Sequence, residues 1–444
     1  MRSYKELFLF LFLGTSGGGA VALAQTFTLE QALSYAQEHN SDLTAAAEQT
    51  EASAARTEAA RAARAPQFDA SYTARISNNP LDALAAKLNT RSASSADFGP
   101  SQLNNPGTTH LHTTALSMTL PIYTGGRISA DIHRRENEEQ ASVLGYQRTR
   151  ENIAFQIIRA YHVAQAAEQG VEISAETQAA AQQHANTTAH LLRQGRIVPS
   201  DKLTAEVNLG AMQGQYAHAL VQQRHALDQL KLAIGLSLDD DLQVAPLTLT
   251  DDAGSLPAVT ELEAQALGAR PDLQALRAQL TASQAQIEVV QAANKPQINL
   301  VAANTWYDRQ PGFANHSWSV MGIISKTFYN GGRTSSQALA ARHENAALAE
   351  RVRGLEQRIR SEVRSAYDNV ADARTRRVIA IENVAKAKQG VALIRKRYGE
   401  GHTILIDLLQ AEHALAEAKN EELATWLDLE DSQASLHFYL GKWE

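Results

Sequence analysis

Tyr-Thr-Gly-Gly-Arg, residues 123–127, and Tyr-Asn-Gly-Gly-Arg, residues 329–333, are nearly the same five residues written twice. Their separation, 329 − 123 = 206, recurs downstream in Gly195 with Gly401, Asp201 with Asp407, Ala205-Glu206 with Ala411-Glu412, Leu230 with Leu436, and Gly235 with Gly441. An offset held over about 110 residues without a gap marks an internal duplication. Upstream the offset is 230, pairing Pro66-Gln67 with Pro296-Gln297 and Asp42-Leu43 with Asp272-Leu273. The first copy therefore carries 230 − 206 = 24 residues more between its Pro-Gln and its Gly-Gly-Arg. The expected division is a first repeat over 25–235, a linker over 236–260 with the acidic run Asp239-Asp240-Asp241, Pro246 and Pro257, and a second repeat over 261–444.

Each repeat changes its hydrophobic period twice. It opens on an Ala- and Gln-rich helical stretch, about 28–64 and 260–294, ended by Pro66 or Pro296, with Pro271 starting or kinking the second helix. Alternation follows: Phe68, Ala70, Tyr72 and Ala74 against polar neighbours, and Ile298, Leu300 and Ala302 in the second copy. A turn-rich loop and a second alternating stretch run to the Gly-Gly-Arg, giving hairpins over 67–122 and 297–328 with strands long enough to cross a membrane at a tilt. The period then turns helical. Residues 128–194 and 334–398 contain no proline, and Ile153, Ile157, Ala160, Ala164, Ala167 and Val171 fall at spacings of 4, 3, 4, 3 and 4. At 1.5 Å per residue such a helix is roughly 100 Å long. A turn at 195–200 or 401–406 leads into a second long helix.

Glycines at 125–126 and 331–332, each pair before Arg127 or Arg333, permit the backbone swerve from strand into helix. Four strands cannot close a barrel, because the smallest common membrane barrels have eight. Open edges cannot face lipid. If the strands lie in a membrane, further copies of the chain must complete the sheet, in a number the periodicities leave open. Trp306, Tyr307, Trp318, Phe328 and Tyr329 sit at strand ends, where interfacial aromatic girdles occur and where core aromatics also occur.

Composition narrows the function classes. Net charge is −7 over 444 residues, which argues against nucleic acid as a partner. Mean hydropathy of −0.31 is too polar for a bundle of membrane helices. Arg2 and Lys5, the apolar run Leu7 to Leu13 and Ala22-Leu23-Ala24 read as a signal peptide over 1–24. There is no cysteine, hence neither disulfide nor lipoprotein acylation site. Beyond residue 24 no apolar stretch of spanning length occurs, so a membrane location requires strands.

In these features the chain resembles the TolC-like outer-membrane efflux family. The resemblance is carried by Thr28-Leu29-Glu30-Gln31-Ala32-Leu33, by Asn40-Ser41-Asp42-Leu43 with Arg270-Pro271-Asp272-Leu273, and by both Pro-Gln strand starts. Both aromatic-x-Gly-Gly-Arg segments and the two helix turns with Gly195 or Gly401 followed by Asp six residues on complete it. It implies an α+β membrane protein, internally duplicated, forming a homotrimer. Four strands per chain would contribute to a twelve-stranded transmembrane β-barrel in outer-membrane lipid, and coiled-coil-like helices would form an α-barrel across the periplasm. A periplasmic adaptor (a membrane fusion protein) and an inner-membrane transporter would dock at its far end. The helix turns would form the closed entrance. By position, Asp407 falls on an acidic ring, Asp201 and Ser200 on its first-repeat partners, and Tyr398 on an aromatic gate residue able to bond Asp201. Thr403 stands where some members have arginine and Gln410 where a second acidic ring would lie, so the implied constriction has fewer ionic links. Helix capping near a turn is the plainer role for Asp201 and Asp407.

The expected function is an efflux exit duct. A duct for type I protein secretion is a close variant, and a non-pore periplasmic coiled-coil scaffold is the rival of a different class. No catalytic residue, cofactor or metal is expected. Gly14-Thr15-Ser16-Gly17-Gly18 matches a nucleophile elbow but lies in the signal peptide. His110 and His112 share a strand face without an acidic partner at ligand spacing, His218 and His225 read as surface groups, and Gly210 with Gly214 reads as a site of close helix packing.

Overall fold

The computed structural model describes residues 25–248 and 256–442. The expected signal peptide with its Gly14–Gly18 segment lies outside the described residues, as do 249–255 of the linker and 443–444. The chain runs β1 (Gln25–Phe27), α1 (Leu29–His39), α2 (Ser41–Ala62), β2 (Gln67–Ser77), α3 (Pro80–Asn89), α4 (Pro100–Asn104), β3 (Thr109–Tyr123), α5 (Arg127–Arg193) and α6 (Pro199–Ile234). It continues β4 (Leu242–Val244), α7 (Val259–Ala269), α8 (Pro271–Gln291), β5 (Gln297–Asp308), β6 (His316–Ser325), α9 (Arg333–Gly399) and α10 (Leu405–Leu440). The duplication is kept to the residue in the long helices: α5 and α9 each span 67 residues, α6 and α10 each 36.

The described residues form two compact units, and α5, α9 and α10 each contribute to both. One unit comprises 25–40, 156–248 and Arg376–Glu430. Thr28 starts α1 with a capping box, its hydroxyl accepting from the Gln31 amide while the Gln31 side chain accepts from the Thr28 amide. β1 pairs in parallel with β4, so the linker carries a strand that the sequence reading leaves out. Three-residue strands are too short to show a period. Buried Tyr161 of α5 ties the pair, donating to the Phe27 carbonyl at 3.0 Å and accepting from the Ala245 amide at 3.2 Å.

The other unit comprises Ser41–Phe155, 256–Thr375 and 431–442. It holds a four-stranded antiparallel sheet in the order β2-β3-β5-β6. Pro121 lacks an amide hydrogen, and the β3–β5 register slips between Pro121 and Tyr123. β6 ends at Ser325, short of the expected Phe328, because Ser325 already pairs with Gln297, the first residue of β5. The loop between β2 and β3 is not merely turns. Asn79 caps α3 through its side chain with Pro80 in the first turn, and a 3-10 turn (Ser95–Phe98) and α4 follow.

The helical stretch expected over 28–64 is broken in two, and that over 260–294 breaks where Pro271 starts a new helix, as expected. The breaks fall at duplicate positions, Asn40 before Ser41 and Arg270 before Pro271. Each repeat's last glycine sits against its own break. A Cβ on Gly235 would lie 2.7 Å from the His39 carbonyl oxygen, and one on Gly441 3.0 Å from the Arg270 Cα. Along the long helices the expected α5 seam is partly inside, with Ile153, Ile157 and Ala164 buried and Ala160, Ala167 and Val171 half-buried, and Val352, Ile359, Val363, Ala366, Val370 and Ala373 of α9 are buried.

Candidate functional site

The two helix turns close identically. Gly195 and Gly401 hold φ of +71° and +78°, conformations that favour glycine. In the first, the Gly195 amide donates to the Leu192 carbonyl and the Arg196 amide to the Leu191 carbonyl; in the second, the Gly401 and His402 amides reach Tyr398 and Arg397 in the same way. This is the Schellman pattern, which satisfies carbonyls that a helix end leaves without partners.

Asp201 and Asp407 both stand third in their helices rather than at the cap, with the N-terminal end of the helix dipole beside them. Thr403 donates its hydroxyl to the Asp407 carboxylate. Ser200 is exposed, and its carbonyl accepts from the Thr204 hydroxyl at 2.9 Å; Gln410 is exposed as well. Tyr398 packs on a cluster of Ala205, Leu405 and Leu409 that joins α6, α9 and α10. Burial, then the charge of Asp201, pushes the Tyr398 phenol above its ordinary value. Among the described residues no hydrogen bond links Tyr398 to Asp201. Val198, Leu203, Val207 and Ile404 leave apolar surface exposed around the turns.

A further tie is not readable from spacing. Glu412 of α10 bonds His184 of α5 at 2.8 Å and Arg395 of α9 at 2.9 Å. Burial pushes the Glu412 carboxyl up, but these two partners outweigh it and hold the group below its ordinary value. Its duplicate, Glu206, pairs among the described residues with Lys202 alone, at 2.8 Å. Gly210 and Gly214 do not make the expected close packing, since a Cβ on either meets nothing within 4 Å. Gly214 instead lines an open groove of about 730 Å3 with His218 and His413.

At the strand-to-helix swerves Gly125 and Gly126 have φ of +67° and +89°, Gly331 and Gly332 +68° and +80°. Arg127 and Arg333 are the first residues of α5 and α9. Their amides donate to the carbonyls of Thr124 and Asn330.

The ladder registers sort the sheet into two faces. One carries Phe68, Tyr72, Ile76, Leu116, Met118, Leu120, Leu300, Trp306, Trp318, Val320 and Ile324, with Thr114 and Asn304 among them and His110, His112, Asp308 and His316 toward its hairpin ends. The other carries Asp69, Ser71, Thr73, Arg75, Thr113, Ser117, Thr119, Asn299, Thr305 and Ser319, with Val301, Met321 and Ile323 among them. Trp306 and Trp318 share the apolar face, whereas Tyr307 is on the polar one. β2 and β6 each have one neighbour, so both edges of the sheet are open. His112 stands opposite Asp308, an acidic neighbour that spacing does not reveal. The Asp308 carboxylate accepts instead from the Ala314 amide and the Asn315 side chain, and the His112 ring is hydrogen-bonded to the Tyr72 hydroxyl at 2.6 Å. Among the described residues no group of three His, Cys, Asp or Glu is placed to hold a metal ion, and no helix is long and apolar enough to cross a membrane.

The sequence model described as "Outer membrane efflux protein" matches residues 32–236 and 262–442. The toluene efflux pump outer membrane protein TtgI of Pseudomonas putida is 30% identical over 243 residues, 52% of this chain and 50% of that protein. The alkaline protease secretion protein AprF of Pseudomonas aeruginosa is 24% identical over 313 residues, 66% of this chain and 62% of that protein. The chain thus spans about half the length of the first of these relatives. The solved outer membrane channel CmeC of Campylobacter jejuni superposes with a TM-score of 0.80 at 18% identity, over 93% of this chain and 85% of that one, a likeness of fold.

Proposed function

Because the chain belongs to the outer membrane efflux protein family, we propose that it is the outer-membrane exit duct of a tripartite efflux system, passively conducting small molecules that an inner-membrane pump and a periplasmic adaptor deliver. The observation that carries this reading is the sheet with one apolar face, one polar face and two open edges. In lipid each unpaired backbone group costs several kcal/mol, so copies of the chain must join edge to edge. Three copies of four strands give twelve, the count proposed here. The apolar face then meets lipid and the polar face lines the lumen. From Tyr123 to the level of Trp306 is about nine residues, or roughly 30 Å along a strand; tilted by about 40° this rises about 23 Å, close to the height of a barrel's apolar band.

The helices form the periplasmic tunnel, and the two helix turns form its entrance. Asp407 and Asp201 constrict it, Tyr398 and Ser200 shape it, Thr403 replaces an ionic link with a hydroxyl, and Gln410 leaves the second ring uncharged. The exposed apolar residues Val198, Leu203, Val207 and Ile404 offer the adaptor its contact. The similarity to a protease secretion protein supports a second reading, a duct for polypeptide secretion.

Single-channel recording from protein purified out of outer membranes tests the duct. Cation-preferring steps that grow or lose selectivity in Asp407→Asn are expected. Steps indifferent to that change would remove the gate assignment, and a protein that fractionates as soluble would remove the duct.

A further inference from the structure

Resting on the duct reading, we propose that α3 is an exit plug: one copy from each chain lies within the outer mouth of the barrel and limits what leaves to small solutes. The helix stands over the polar face of the sheet. Asp82 of α3 accepts from Arg75 Nη1 at 3.2 Å and from the Ser77 hydroxyl at 2.9 Å. Arg75 and Ser77 point to the side of β2 opposite Phe68, Tyr72 and Ile76. Between helix and sheet is a cleft of about 280 Å3, lined by Thr73, Thr113 and Tyr307 of the polar face and by Asp82, Ala86 and Asn89 of α3. The helix therefore covers the lumenal side of three strands, not their lipid side.

The segment beyond α3 is held as well. Arg91 donates to the His316 carbonyl at 3.3 Å, and Arg309 donates to the Ser92 hydroxyl at 3.0 Å, which carries the insert across to the β5–β6 turn. Arg91 keeps φ at +53°, a left-handed conformation that a non-glycine residue adopts only when its surroundings hold it. Lys87 pairs with Asp97, and that bond, then the Ser94 amide and hydroxyl, holds the Asp97 carboxyl at about 2. The insert is thus a folded cap rather than a slack loop. The other hairpin, turning between Asp308 and His316, has no such helix.

Size decides the consequence. Twelve strands about 4.8 Å apart, tilted about 40°, enclose a circle roughly 24 Å across between backbones. Three helices of about 10 Å diameter side by side need a circle of about 22 Å. Three such helices thus take up the width between backbones before the lumenal side chains are counted, and the passage left is the narrow space between packed side chains, too small for a polypeptide. Leu81 and Leu88, two turns apart and exposed on α3, supply the apolar surface on which the three copies meet.

The chain has no cysteine, so one can be placed beneath the helix. In cells expressing the full chain with Thr113→Cys, a small methanethiosulfonate and a 5-kDa maleimide polymer are added from outside. The small reagent should react readily. The polymer should react at least tenfold faster when 80–106 is replaced by a short Gly-Ser turn. Equal polymer rates with and without the insert, in protein that is trimeric and in the outer membrane, would overturn the plug and leave the duct. Chain recovered in the soluble fraction would overturn the duct itself. If the excised variant fails to assemble, Asp82→Ala frees α3 without deleting it. A polymer rate raised at least threefold by that change supports the plug, and an unchanged rate overturns it.

Discussion

The two helix turns of this duplicated chain share a backbone and differ in what grips it. Gly195 and Gly401 take the same left-handed angle and close the same pair of backbone bonds. Around the second turn Glu412 is held by helices α5 and α9, and Thr403 donates to Asp407. Around the first, Glu206 pairs with Lys202, one turn away on its own helix. After duplication the backbone solution stayed fixed, because few residues tolerate that φ, while the side-chain ties diverged. Contact demands differ between copies even at the glycines themselves. At Gly125 a Cβ would lie 2.7 Å from the Lys295 Cβ and 2.8 Å from the Ala292 carbonyl oxygen; at Gly331 it would meet nothing within 4 Å.

The largest expected asymmetry is at that pair. Gly125→Ala should cost about 3 kcal/mol or more, combining overpacking with the left-handed penalty, whereas Gly331→Ala should cost about 1 kcal/mol. Thermal loss of helical circular dichroism in each variant measures the two, and equal losses would break the comparison. Next comes Glu412→Gln, which weakens two charge-assisted bonds at a half-buried site and should cost about 2 kcal/mol, against less than about 0.5 kcal/mol for Glu206→Gln. The sign with pH is fixed. Glu412 sits below its ordinary value when folded, so its contribution is present above the ordinary glutamate range and fades as pH falls through the lowered value. Acid titration of stability should flatten in Glu412→Gln. The smaller loss at the second turn is Thr403→Val, about 0.5 to 1 kcal/mol from one lost hydroxyl bond, read in the same melts.

Much of the fold was legible because a duplicated chain presents its pattern twice. The offsets of 206 and 230 fix which elements correspond, and the switch from period two to heptad spacing locates the swerves at Gly125 and Gly331. What stayed hidden has physical reasons. β1 and β4 are three residues each and pair across a separation of more than two hundred residues. α3 announced itself by Asn79-Pro80, a cap and first-turn signature that also reads as a turn. The break at Asn40 has no proline to mark it; it coincides with the Asn40 side chain bonding the Ala233 carbonyl at 3.0 Å, a partner far along the chain. At the candidate site, the positions of Asp201 and Asp407 followed from the repeat, but the His184–Glu412–Arg395 tie needed three helices in register. The polar face could be read by alternation; that a helix covers one end of it could not.

The open edges of β2 and β6 also bear on how the protein is made. A lone folded chain cannot enter lipid without carrying two rows of unpaired backbone groups with it, and in water the same rows are templates for indiscriminate strand addition. On the proposed duct reading, biogenesis is therefore bound to encounter between copies. On that reading insertion should accelerate steeply with the local concentration of newly made chains, and a shortage of them should yield aggregates or degradation products rather than monomers waiting in the bilayer.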